Sequence, residues 1–199
     1  MGEESIKKFY LIFLFIFLGV SLNAFDKTQI NLAKRIYSIG KSFKTNDGMS
    51  IEKTLTAISL RESSLGKFVL GDKKENGEFK PLKEMSLGPF QMRVLTAKEI
   101  IKKKKLKKYY KYLDNDTALI NKLITDAIFG AKLSAYYFID NYNSALRRGM
   151  SRPYYRAISR HNGGWNNKPY YKAVMKDLRS IRKLDFVKMD QKRRYASKN

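Results

Sequence analysis

No cysteine occurs anywhere in the 199 residues, which excludes a disulfide scaffold, a thiolate metal site and a cysteine nucleophile together. Histidine is almost as scarce. His161 stands alone, so no multi-histidine metal centre can form and a serine–histidine relay has one candidate. Acidic residues are also few, 18 against 41 Lys and Arg, and the resulting net charge of +23 disfavours cationic partners. Proline appears four times and tryptophan once, at Trp165. What remains plentiful is apolar: 43% hydrophobic and 13% aromatic residues are too many for a disordered chain, and the length suits one domain. Neither a metal nor an organic cofactor is expected.

The longest apolar run, Phe9 to Val20, follows Lys7 and Lys8 and precedes Ser21-Leu22-Asn23-Ala24. A basic start, a run of about a dozen apolar residues and a small residue at a cleavage point make residues 1–24 a signal peptide, since such runs span roughly 7–15 residues. The run is shorter than the roughly 20 residues that cross a bilayer. The leader directs the rest of the chain to the periplasm; retained, it is an inner-membrane anchor. Its two lysines offset its two glutamates, so its loss leaves the net charge unchanged. About 175 residues remain, enough to bury roughly 70% of the unfolded surface without covalent staples.

The rest reads as a mainly α protein, a single helical domain over 25–185 followed by a loose basic tail, 186–199. Asp26 caps a first helix over 27–43, and Thr45-Asn46-Asp47-Gly48 is a turn. Ser50 caps a second helix whose Ile51, Leu55 and Ile58 recur at four and three residues. Residues 66–90 hold four glycines and two prolines and form a long Gly-rich loop or a small β-hairpin. A third helix runs from Met92 to about Lys104. Asp116 caps a fourth, the longest, burying Leu119 through Ala131; Ser151 and Pro153 open a fifth that ends at His161-Asn162-Gly163-Gly164; a sixth spans about Lys168 to Arg182.

Glu62 is the first residue with chemistry to weigh. Eleven helical steps from Ile51 return to within about 20° of the same face, so an apolar stripe ends in a carboxyl. A carboxyl partly removed from water holds its proton longer, as a general acid must. The alternative is a helix-end glutamate paired with Arg61 or a lysine, and spacing alone does not separate the two. Next, Ser86-Leu87-Gly88-Pro89-Phe90-Gln91 closes the Gly-rich segment, where Gly88 permits a tight path and Gln91 offers both a donor and an acceptor. Ordinary turns before helices look similar. Last, Arg160-His161-Asn162-Gly163-Gly164-Trp165 combines an amide, two glycines and a flat ring of the kind sugars stack on; a plain helix C-cap reads the same way.

In order and spacing, Glu62-Ser63-Ser64, Ser86-x-Gly88-x-x-Gln91 and His161-Asn162-Gly163-Gly164 together resemble the soluble lytic transglycosylase domain. This is glycoside hydrolase family twenty-three, related to goose-type lysozymes, and the resemblance spans roughly 45–180. It implies a lysozyme-like fold with the Gly-rich segment beside an active-site cleft. It also implies a single acid and base, Glu62, cutting between N-acetylmuramic acid and N-acetylglucosamine in peptidoglycan and leaving a 1,6-anhydro end. Ser86, Gln91 and Asn162 would line the cleft. His161 stands where the family usually has tyrosine, a position beside the reacting ring, and brings a side chain that can charge near neutral pH. Trp165 is the candidate stacking platform. Asp72, Glu75, Glu78 and Glu84 follow Glu62 without a recognisable second-acid motif; a hydrolytic lysozyme using Asp72 or Glu84 is the nearest rival. A non-catalytic wall-binding protein of the same fold is the other alternative.

Lys102 to Lys105, Lys107, Lys108 and Lys111 interleave with Tyr109, Tyr110 and Tyr112. Cations with stacking rings suit single-stranded nucleic acid. The leader argues against that partner and for an anionic wall or membrane surface, unless the lysines reflect only coding bias. The partners expected are therefore peptidoglycan glycan strands, an anionic membrane surface and the secretion or conjugation machinery such a cut would serve, with no nucleic acid.

Overall fold

A computed structural model describes residues 25–72 and 77–197, so the expected leader and Glu75 lie outside the described residues. Helix α1 (Lys27–Lys41) begins at a capping box: Asp26 Oδ1 accepts from the Gln29 N–H at 2.8 Å, and Gln29 Oε1 accepts from the Asp26 N–H at 2.9 Å. Helix α2 (Glu52–Ser63) starts without a side-chain cap, because Ile51 and not Ser50 occupies the cap position. The expected stripe is present: Ile51, Leu55 and Ile58 are all fully buried.

The Gly-rich segment is a small two-stranded antiparallel sheet. β1 (Ser86–Leu87) pairs with β2 (Met92–Arg93), and a tight turn, Gly88–Phe90, joins them. Helix α3 (Val94–Lys103) follows directly. The single long fourth helix expected from the apolar period is two helices, α4 (Asp116–Thr125) and α5 (Ala127–Arg147). Asp126 leaves helical geometry (φ −108°, ψ 88°) and its carboxylate accepts from the Ile128 and Phe129 N–H groups, starting α5 afresh. Asn115, not Asp116, caps α4. Helices α6 (Pro153–His161) and α7 (Lys168–Arg182) match the expected fifth and sixth.

The expected loose tail is a helix, α8 (Asp185–Ala196). Its only buried side chain is Val187, so period gives no hint of it; charge fastens it instead. Asp190 accepts from the Tyr37 hydroxyl at 2.9 Å and pairs with Lys41, and Arg194 reaches Glu52 at 2.9 Å.

The apolar interior divides into two clusters. One gathers α1, α2, α6, α7 and the later part of α5; the other gathers α3, α4 and the start of α5. The turn between β1 and β2 bridges them, with Phe90 in the first and Leu87 and Met92 in the second. The chain is therefore mainly helical with a minor sheet, and the end of α2 meets that sheet at the seam. Among the described residues no helix is long and apolar enough to cross a membrane.

Candidate active site

The seam opens into a cavity of about 510 Å³, lined by Glu62, Asp72, Ser86, Gln91, Tyr137 and His161, with Arg160, Asn162 and other neighbours at its rim. All three sequence motifs contribute to one surface. Glu62 sits one residue before the end of α2, where Ser64 and Leu65 turn into the left-handed region (φ 52° and 56°) and stop the helix. Burial pushes its carboxyl up to about 7, against the opposing pull of the Tyr170 hydroxyl and the Arg61 charge. Arg61 does not pair with it: the guanidinium turns to Asp177, at 2.7 Å from both Nε and Nη2. Tyr170 donates its hydroxyl hydrogen to Glu62 Oε1 instead. Burial, reinforced by the Glu62 charge, raises the Tyr170 phenol well above its ordinary value, so it remains a donor.

The residue after Glu62 explains why the first two motifs meet. Ser63 is buried, and its hydroxyl donates to the Pro89 carbonyl at 2.9 Å while accepting from the Gly66 N–H at 2.8 Å. Ser59, one turn earlier, donates to the same carbonyl at 3.1 Å. Two hydroxyls thus fasten the acid-bearing helix to the β1–β2 turn. Gly88 in that turn has φ 72°, and a Cβ there would lie 2.0 Å from the Leu123 carbonyl oxygen, so only glycine fits.

Gln91 also takes a left-handed backbone (φ 47°), and its amide donates to the Gly88 carbonyl at 3.0 Å and the Phe68 carbonyl at 3.3 Å. A Cβ at Gly71 would lie 1.9 Å from Gln91 Oε1, so a larger residue there would displace the Gln91 amide from this position. Ser86 donates through both N–H and Oγ, each at 2.7 Å, to one oxygen of Asp72. Burial raises the Asp72 carboxyl, but the two Ser86 hydrogen bonds with Arg93 and Lys80 outweigh it and hold it below the usual carboxylate range. One cavity therefore holds a carboxyl kept protonated and another kept ionised. Glu84 ends the short turn Leu82–Glu84 and does not line the cavity.

His161 lies across the cavity, its ring edge-on to Tyr137 with centroids 5.2 Å apart, and Nε2 stands 3.5 Å from Ser134 Oγ. Desolvation lowers its pKa to about 4, so the charge near neutral pH that the sequence admits is absent. Asn162 is exposed at the rim, where its two oxygens accept from the Asn167 amide at 3.2 and 3.1 Å.

Trp165 is not where the motif places it. Its ring is outside the cavity lining, with Arg148 and Arg160 lying over it at 5.5 and 5.6 Å from the centroid. The lysine–tyrosine run also differs: Tyr109 and Tyr112 pack against Phe129 at 4.8 and 5.9 Å, and Lys103 and Lys104 pair with Asp140. Only Tyr110 of the three tyrosines is exposed. Two residues of the site escape sequence reasoning, Tyr170 and Tyr137. Tyr170 leads a helical stripe with Val174, Leu178 and Ile181, a pattern that marks burial and says nothing of a glutamate 108 residues away. Among the described residues no group of three or more His, Cys, Asp or Glu side chains could hold a metal ion. Compared with models of protein families, with curated proteins and with solved structures, the chain matches none of the three.

Proposed function

We propose that this protein is an exported lytic transglycosylase of lysozyme-like fold that cuts peptidoglycan glycan strands, with Glu62 as acid and then base. The observation that carries the reading is a carboxyl held protonated up to about 7 at the wall of a 510 Å³ cleft, with a phenol and no cation as its partner. In the proposed reaction Glu62 gives its proton to the oxygen between N-acetylmuramic acid and N-acetylglucosamine. That bond breaks, and the neighbouring acetamide oxygen closes onto the anomeric carbon. Glu62, now a carboxylate, takes the proton of the C6 hydroxyl, whose oxygen displaces the acetamide and closes the 1,6-anhydro ring. No water is consumed and Glu62 ends protonated, ready for the next strand. Tyr170 steadies the carboxylate between the two proton transfers by donating to Oε1. Neutral His161 can give a hydrogen bond to the sugar without adding charge, and Gln91 and Asn162 supply further polar contacts.

A second reading has one specific observation behind it. Asp72 is ionised in the same cavity as protonated Glu62, the pairing that a hydrolytic muramidase uses. Against it, one Asp72 oxygen already takes two hydrogen bonds from Ser86, which suits a carboxylate that holds the cleft wall. Product mass separates the two. Purified protein incubated with peptidoglycan should release fragments lighter by one water than hydrolytic products; reducing ends would mean hydrolysis. Undiminished cutting by Glu62→Gln overturns both.

A further inference from the structure

Four arginines recur at intervals of four residues where α5 turns into α6: Arg148 closes α5, Arg152 caps α6 from a left-handed backbone (φ 58°), and Arg156 and Arg160 lie on α6. Arg156 and Arg160, both within the helix, share a face about 6 Å apart along its axis. Each guanidinium lies over a ring: Arg148 and Arg160 over Trp165, Arg152 and Arg156 over Tyr155 at 4.9 and 5.4 Å. No acidic side chain pairs with any of the four among the described residues. Three hydrogen bonds fix the inner members: Arg156 Nη1 to the Trp165 carbonyl at 3.2 Å, Arg156 Nε to the Ser151 carbonyl at 3.4 Å, and Arg160 Nη1 to the Gly163 carbonyl at 3.0 Å. The side chains of Arg148 and Arg152 donate no hydrogen bond within the described residues and both residues are exposed. The row is continuous with the cleft, because Arg160 lines the cavity beside His161 and Asn162.

Cations without an acidic partner, held against two aromatic faces, present N–H edges to an incoming anion, and the planar fork matches a carboxylate through two parallel hydrogen bonds. We propose that this arginine row recognises the carboxylates of the peptide branches on the glycan strand whose sugars occupy the cleft. The inference rests on the peptidoglycan reading above. It assigns Trp165 a role other than sugar stacking: the ring is the bed on which two of the cations lie. The row leads out from Arg160, so an anion attached to the sugar backbone beside the cut reaches it while the backbone remains at Glu62.

The test uses full-length Glu62→Gln protein, so that strands are bound and not consumed. Peptide-bearing strands should bind about tenfold or more tightly than strands stripped of peptide by an amidase, the worth of one good charge-assisted pair. Arg148→Gln/Arg152→Gln should lower affinity for the peptide-bearing strands toward that for the stripped ones. Amidating the peptide carboxyls should do the same with no change to the protein, which keeps the test decisive if the double variant does not fold. Equal affinity for bearing, stripped and amidated strands overturns the proposal. So does stronger displacement by polyphosphate or a single-stranded oligonucleotide than by the isolated peptide, which would mark a general polyanion surface. The isolated peptide, titrated alone, separates the two hypotheses. If it binds through Arg148 and Arg152 while stripped strands do not bind at all, the row stands and the glycan reading falls.

Discussion

Helix α2 carries a glutamate near each end, Glu52 buried and Glu62 partly buried, and the two are treated differently. Glu52, at the start, is 3% exposed and meets Arg194 at 2.9 Å, a cation brought by the last helix of the chain. Glu62, at the end, has a cation as its sequence neighbour, yet that cation is drawn off by Asp177 and the carboxyl is left with a phenol. Burial with a counter-charge gives an ion pair that joins two helices. Burial without one gives a group that holds a proton near neutral pH and faces an open cavity. Position on a helix is the same kind of fact for both; the difference comes from what the rest of the fold brings to each.

Removing the proton donor should have the largest effect. Glu62→Gln should cut fragment release from peptidoglycan by roughly 10²–10⁴-fold, the usual contribution of general acid–base groups. A loss below tenfold would make Glu62 as structural as Glu52. The same substitution should stabilise the fold in a pH-dependent way. The folded carboxyl keeps its proton to about 7 while an unfolded one releases it near 4.5, so the native state loses stability as pH rises between those values. Glutamine does not titrate. Glu62→Gln should therefore unfold at higher denaturant than the parent at pH 8, by roughly 2–3 kcal/mol, with the gap closing below pH 5.

At the other end, Arg194→Ala leaves the Glu52 carboxylate buried without its cation. The cost should be about 2 kcal/mol, below the full penalty of a buried pair because the Arg194 side chain is 42% exposed. Glu52→Gln combined with Arg194→Ala should recover most of it in equilibrium unfolding. The smallest effect expected is from Tyr170→Phe. Its hydrogen bond lowers the Glu62 pKa, so its loss should move the alkaline limb of the pH–rate profile upward; a downward move would break the account of the pair.

Much of this was legible in the sequence because it is local. The stripe Ile51, Leu55, Ile58 is buried as its spacing requires, and Glu62 follows it to the cleft. Ser86, Gln91, His161 and Asn162 also gather there. What period alone could not register was a break inside an apolar pattern: Leu119 to Ala131 runs on past Asp126, yet that carboxylate caps a new helix. Nor could it register α8, which is anchored by Asp190 and Arg194 and shows almost no apolar face. Trp165 failed for a similar reason. A lone ring in a glycine-rich turn suits a sugar, but Arg148 at the end of α5 and Arg160 on α6 claim it first. The partner of Glu62 was beyond reach altogether, since Tyr170 and Glu62 meet only through the packing of α7 on α2.

The doubled grip of Ser59 and Ser63 on one carbonyl has a mechanical result. The wall bearing Glu62 and the turn bearing Gln91 are fastened through that carbonyl, so on the reading proposed above a glycan strand meets them as one surface. The opposite lip is built differently: Gly163 meets no neighbour within 4 Å of where a methyl would sit, and its carbonyl is held only by the Arg160 side chain. Bulk added at position 163 therefore has space to occupy, whereas bulk at Gly88, on the fastened side, meets the Leu123 carbonyl.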